Sequence, residues 1–418
     1  EIMALASFFM VTFEDEREGV LEAGWTYLIA THTGTAFLFV LFLLLGRSSG
    51  SLDFSAFGGY DPSLAGVLFV LAVIGFGTKA GFVPFHIWLP EAHPAAPSHV
   101  SAVMSGVMIK TGLYAILRAM TFLGEPQPWW GWTLVVIGLT SGVLGILFSL
   151  AQHDLKRLLA YCSVENIGII TLGLGIGVLG YTSRSPVLAV LGFSAALLHV
   201  INHAVFKGLL FMAAGAVAHA TGTREMDRLG GLLKRMPWTG AAFLVGAVAI
   251  CGLPPLNGFV SEFLIYLGAL VGGVSTNGPS ATAGFLAIAG LALIGGLAIA
   301  TFTKAFGMIF LGEARTESAA HAHEPGLAMR FPILLLAGAC VLIGLASPVI
   351  MLLLSRPVAG LLRMGERGTE LYLYAAASNL LRFLVVGGAF VVLIGLLAAL
   401  RKGLLTGRTV TEQGTWDC

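Results

Sequence analysis

The sequence predicts an all-α polytopic membrane protein of about eleven transmembrane helices, arranged as inverted five-helix repeats with two broken helices. Three observations carry that prediction. Of the 418 residues, 57% are hydrophobic and 11% are charged. Soluble domains carry about 25% charged residues, so too little polar surface is present to cover a water-soluble globule. The apolar residues fall in continuous runs of the length, about 20 residues, that a spanning helix needs, and not in the alternation of a membrane barrel. Finally, two runs are interrupted by proline and glycine, each beside a charged residue.

The runs follow in order at 1–13, 22–46, 62–82, 98–123, 129–150, 155–180, 186–220, 237–271, 281–312, 328–355 and 370–400. Residues IMALASFFMVTF read as the second part of a span. No charged n-region or small-residue cleavage site precedes them, so they do not read as a signal peptide. The links are short. Alternate links collect twelve Lys and Arg on one side, from Arg17 to Arg408, and seven on the other, from Arg47 to Arg382. The richer side, with the C-terminus, is expected to be cytoplasmic.

Charge and cysteine content exclude several functions. Lys plus Arg number 23 against 22 acids, a net +1, so there is no basic face for nucleic acid. Cys162, Cys251, Cys340 and Cys418 show no CxxC spacing. They offer neither a disulfide framework nor a thiolate cage for zinc or iron–sulfur.

The informative residues are charges inside the spans: Lys79, Lys110, Lys207, Lys304, Glu1, Glu165 and Glu262. Each costs about 2.5–3.5 kcal/mol at the bilayer centre on insertion scales, unless it faces protein, a partner or water. One such lysine could snorkel to an interface; seven call for an internal polar path. His199, His203 and Lys207 stand at i, i+4 and i+8 on one helical face. Two histidines one turn apart can hold zinc, but no carboxylate or thiol accompanies them on that helix, and the lysine repels a cation. A proton-conducting stripe is the favoured reading, since histidine titrates near neutrality and buried lysine is readily shifted toward it. His321 and His323, in the polar link HAHE, read as solvated.

The broken third run, GFGTKAGFVPF, sets Gly75, Gly77, Gly81 and Pro84 around Lys79. The broken eighth, CGLPPLNGFVSEF, sets Pro254, Pro255 and Gly258 before Glu262. Mid-membrane breaks are tolerated where backbone lines a polar cavity. With one helix missing before the first run, both breaks become the fourth helix of a five-helix repeat, and Lys110 corresponds to Lys304. The expected divisions are 1–124, the remainder of a first repeat; 125–312, a second repeat; and 313–418, C-terminal helices and a cytoplasmic tail.

Four stretches carry a family resemblance: KAGFVPFHIWLPEAHPAAPSHVSAVMSGVMIKTGLY, DLKRLLAYCSVENIGII, HVINHAVFKGLLF and GLPPLNGFVSEF. Together they resemble the antiporter-like subunits of respiratory complex I, of multisubunit sodium/proton antiporters and of energy-converting hydrogenases. With FTKAFGMIFLGEAR and the terminal TWDC, the sequence is most similar to the branch of hydrogenase-4 component B and formate hydrogenlyase subunit 3. The resemblance implies that about four family helices precede Glu1 and that the family continues after TWDC. It implies that Glu1 pairs with Lys79, that Lys110 is a central relay, and that His199, His203 and Lys207 form the polar stripe. Glu262 then matches the charge of the second broken helix.

The function so implied is redox-coupled translocation of protons, or a sodium-linked variant, with no catalytic chemistry in this chain. Iron–sulfur clusters and a nickel–iron centre are expected in partner subunits, with none here. The expected partners are other membrane subunits, a peripheral redox arm and the bilayer of a prokaryotic inner membrane. The alternatives are a subunit of a stand-alone sodium/proton antiporter and a non-conducting scaffold.

Overall fold

A computed structural model describes residues 1–57, 62–273 and 279–406. The TWDC end, with Cys418 and Arg408, lies outside the described residues. The described chain is built from helices: α1 (Ile2–Val11), α2 (Val20–Ser49), α3 (Ala65–Ala80), α4 (Trp88–Ala95), α5 (Ser98–Val103), α6 (Ile109–Phe122), α7 (Pro128–Leu150), α8 (Leu155–Thr182) and α9 (Pro186–Thr221). There follow α10 (Pro237–Ile250), α11 (Asn257–Leu267), α12 (Pro279–Phe310), α13 (Glu317–Ala320), α14 (Leu327–Leu345), α15 (Ser347–Leu352), α16 (Ser355–Leu362) and α17 (Glu366–Leu405). Among the described residues nine helical segments are long and apolar enough to cross a membrane. Shorter apolar helices make the first, eighth and part of the tenth expected runs.

Local chemistry sets the helix ends. Proline opens α7, α9 and α10 at the position where a missing N–H costs nothing. The Asp154 carboxylate caps α8 by accepting from the Arg157 N–H at 2.9 Å. Glu324, in the HAHE link, accepts from the N–H groups of Trp238 and Thr239 at 2.6 and 3.0 Å and so caps α10. His321 and His323 beside it are exposed, as expected.

Helix α8 is the axis of the bundle, its apolar window wholly enclosed by protein. Small residues make that possible, because lipid offers no hydrophobic drive between helices and close packing must supply it. At Gly138 of α7, a Cβ would fall 2.8 Å from the Gly168 carbonyl of α8. The outer helices α2, α12, α14 and α17 turn Phe39, Leu293, Leu335 and Val392 outward toward lipid.

The links sort to two ends of the bundle. At one end, Arg224 pairs with Asp154 at 3.2 Å, Lys234 with Glu313 at 2.6 Å, and Arg157 with Glu91. Lys234 holds the exposed Glu313 carboxyl below the usual carboxylate range. At the other end, Glu125 accepts from the Tyr181 hydroxyl at 2.6 Å and pairs with Arg363 at 3.4 Å.

Candidate functional site: a buried polar row

Both interruptions are present, narrower than the sequence motifs. Helix α3 runs through Gly77 and Lys79 and stops at Gly81, which takes φ +76°. The chain then turns through Pro84 to α4. The carbonyl freed at Thr78 accepts the Trp88 indole N–H at 2.9 Å, and the Val83 N–H donates to the Ser141 hydroxyl of α7 at 3.0 Å. In the second interruption α10 stops at Ile250, the turn carries Pro254 and Pro255, and α11 resumes at Asn257 with Gly258 already helical. The Val83–Pro84 and Pro254–Pro255 bonds are cis.

Around these breaks lies a succession of polar side chains. Lys79, half-buried, donates to the Tyr27 hydroxyl at 3.4 Å and lines a 250 Å³ cavity with Glu1, Thr31, Thr35 and Thr111. The expected Glu1–Lys79 contact pair is not formed. Glu1 lies instead 3.4 Å from the His32 ring, while Tyr27 draws Lys79 inward.

Lys110 is 6% exposed. A π-helical turn, Met104–Met108, precedes it, and its ammonium donates to the Ser105 carbonyl within that turn. Such bulges leave backbone acceptors free and recur at functional sites. The Ser105 hydroxyl continues to the Ser163 hydroxyl of α8 at 2.7 Å.

Helix α9 supplies the middle of the row. His199 uses both ring nitrogens, one at 2.8 Å from the Ser261 hydroxyl and one at 3.0 Å from the Asn166 amide oxygen. His203 stacks at 6.5 Å from His199, and neither of its nitrogens has a protein partner. Lys207 is completely enclosed, its ammonium 6.0 Å from the Phe211 ring and without a hydrogen bond. Its electrostatic counterpart is Glu165 of α8, which also feels Glu262.

The row closes at the second break. Asn202 donates to the Asn257 carbonyl at 2.7 Å and to Ser261 at 2.9 Å, tying α9 to the first turn of α11. Glu262 is 7% exposed, and its carboxyl packs on Gly252 so closely that a Cβ there would sit 2.9 Å from Oε1.

One expected member stands apart. Lys304 donates to the carbonyls of Leu150 and Gln152 at 2.9 and 3.0 Å, capping the C-terminal end of α7. The two lysines thus meet different surroundings, Lys110 a carbonyl within the π-helical turn and Lys304 the carbonyls at the end of α7. Two residues escaped the sequence reading. His93 in α4 is fully buried with both nitrogens unpartnered. Lys156, assigned to a link because Asp154 and Arg157 flank it, is 3% exposed in the first turn of α8 and donates to the Ala96 carbonyl. Among the described residues no group of three or more His, Cys, Asp or Glu is placed to hold a metal ion.

Comparison with known proteins gives one family. The family model described as NADH:quinone oxidoreductase/Mrp antiporter, TM, matches residues 1–277. Hydrogenase-4 component B of Escherichia coli K12 is 45% identical over 352 residues, which cover 83% of this chain and 52% of that protein. Formate hydrogenlyase subunit 3 of the same organism is 39% identical, over 86% of this chain and 58% of that protein. The chain thus spans little more than half the length of these relatives. A chain of the membrane-bound sulfane sulfur reductase, an archaeal respiratory membrane complex, superposes with a TM-score of 0.71 at 27% identity, over 85% of this chain and 57% of its own.

Proposed function

Given that the chain belongs to the NADH:quinone oxidoreductase/Mrp antiporter transmembrane family, we propose that it is an ion-translocating membrane subunit of a redox-driven complex and that its buried row carries protons. The observation that supports this most is Lys207. An ammonium with no exposed surface and no hydrogen-bond partner has no structural use that methionine would not serve better. A group that must gain and lose a proton does need that isolation, since low dielectric couples its charge to Glu165 and Lys110, and Glu165 in turn to Glu262. Protonation at one position then biases its neighbours along the row.

In this reading the first repeat extends to 124 and contains Lys79 and Lys110. The second covers 125–312 with Lys207 and Glu262, and 313–418 forms C-terminal helices and a tail. Protons enter at the bundle end carrying Asp154 and Arg224, which with the C-terminus faces the cytoplasm of a prokaryote. Glu1 acts on Lys79 across their shared cavity rather than through a contact pair. His199 and His203 bridge Lys110 to the second break. Electrons pass in partner subunits that carry iron–sulfur clusters and, in the branch that hydrogenase-4 component B exemplifies, a nickel–iron centre. The family's description supports a second reading, a subunit of an Mrp-type antiporter without redox partners. The chains that co-purify decide between the two.

Lys79 tests the mechanism in the whole complex reconstituted in vesicles. Lys79→Ala assembles and loses proton uptake. Lys79→Arg fails as well, because guanidinium stays protonated and cannot hand a proton on. Normal pumping by Lys79→Arg makes this residue a fixed charge and contradicts the relay.

A further inference from the structure

We propose that the cleft at the Glu125 end of the bundle binds an anionic glycerophospholipid, with its phosphate held between Arg118 and Arg363. The cleft lies where α6, α8, α9 and α16 meet. Its cavity measures 310 Å³, and Arg118, Arg363 and Glu125 line it together with the apolar Leu117, Phe193 and Leu361. Sites for small molecules begin at about 300 Å³ and combine apolar walls with a few convergent polar groups, as this one does.

The charges at the cleft do not balance. Glu125 is already served: one carboxylate oxygen accepts from the Tyr181 hydroxyl at 2.6 Å, and the other lies 3.4 Å from the Arg363 guanidinium. Arg118 has no such counterpart. Its guanidinium sits 4.9 Å from the centre of the Phe122 ring, and it has no hydrogen bond or ion pair among the described residues. Two guanidinium groups thus line the cavity with one carboxylate, an excess of one positive charge. A phosphodiester carries the single negative charge that offsets it, and the planar guanidinium can donate to phosphate through two N–H groups at once. Arg363 also ends α16 with φ +51°, in the left-handed region that glycine usually occupies. An arginine there carries strain that glycine would avoid, and the side chain it supplies is the second guanidinium of the cleft.

The outer face of α6 makes the anion part of a lipid. Val103, Val107 and Tyr114 are 59%, 59% and 66% exposed, and Arg118 follows Tyr114 by one turn. This strip runs along the helix to the arginine, with the tyrosine at the level where aromatic rings border headgroups. A lipid seated with its phosphate on Arg118 lays a chain along the strip. Free phosphate makes no use of it. A lone interfacial arginine touches whichever headgroup passes, whereas positions 118 and 363 brought to one cavity make a site.

The test places the complete complex in phosphatidylcholine bilayers containing a trace of photoactivatable lipid, either phosphatidylglycerol or phosphatidylcholine with the same labelled chain. Crosslinks are mapped by mass spectrometry to residues 114–126 and 355–364. The phosphatidylglycerol probe is expected to label these segments more strongly than the phosphatidylcholine probe. Arg118→Gln and Arg363→Gly are each expected to lower that labelling about fivefold, the loss of one charge-assisted contact, with labelling elsewhere unchanged. Arg363→Gly installs the residue that the left-handed turn favours, so it decides the matter even if Arg118→Gln fails to assemble. Excess inorganic phosphate is expected to leave the labelling intact; its displacement of the probe makes the cleft a site for free anions and overturns the proposal. Equal labelling by the two probes, labelling unchanged in both variants, or no labelling by either probe overturns it as well. Proton uptake is not part of this readout, so the cleft and the buried row stand or fall separately.

Discussion

At Lys207 and Lys304 the same side chain meets two opposite environments. Lys207 has no partner and Lys304 has two backbone carbonyls at the end of α7. Lys304→Met is therefore expected to pump normally and to melt earlier. Charge-assisted hydrogen bonds are worth about 1.5–3 kcal/mol, and thermal unfolding of the detergent-solubilised complex reads the loss. Gly252 predicts a coupled effect. It holds φ +61° against the Glu262 carboxyl, so Gly252→Ala meets both backbone strain and a displaced side chain. The expected cost is about 1–2 kcal/mol in unfolding, accompanied by reduced proton uptake. Unchanged melting and unchanged uptake in Gly252→Ala contradict that packing. The sequence marked most of these residues, because an ionisable group in an apolar run is visible without coordinates. His93 was missed because it lies in a proline-rich stretch that hides its enclosure, and Lys156 because its charged neighbours imitate a solvated link. Lys304 was over-read, since a composition window does not distinguish a mid-membrane lysine from one that reaches a helix end.

Among the elements, the two interruptions and the π-helical turn do the positioning. In the first interruption, Trp88 reaches back across the break to the Thr78 carbonyl, so the break is satisfied by protein instead of by water. Trp88→Phe keeps the ring and removes the donor, which leaves a buried acceptor unpaired. The expected loss is about 1–3 kcal/mol in thermal stability. A variant that melts with the wild type shows that water replaces the indole and that the break is already wet. The breaks were legible in the sequence because glycine and proline announce them. Their true edges were not: Gly77 and Gly258 are helical, since each sits where a neighbour approaches closely and not where the backbone turns. The π-helical turn at Met104–Met108 left no sequence signal, because nothing in MSGVM is foreign to an α-helix. It exists through tertiary packing, and its consequence is the acceptor that Lys110 finds at Ser105.

The whole molecule is a bundle around α8, with an apolar outside and a polar inside. That inversion was readable from composition alone, because a chain with 11% charged residues has nowhere to place them except at its two ends and along its interior. The two-ended sorting of the links followed from span order, and the observed ion pairs join links assigned to the same side. What sequence could not supply was the lateral order of the row, which depends on helix contacts distant in the chain. His199 meets Ser261, 62 positions away, and Ser105 meets Ser163, 58 positions away.

The central claim is that these enclosed groups conduct. Lys207→Met tests it most directly, since methionine fills the same space and removes only the titratable charge. The measurement is the number of protons translocated per electron pair by the complete complex in sealed vesicles, with redox turnover followed in the same preparation. The account predicts that the complex assembles, that turnover persists, and that the proton count falls by the whole share carried through this subunit. A variant with the wild-type proton count and wild-type turnover contradicts it.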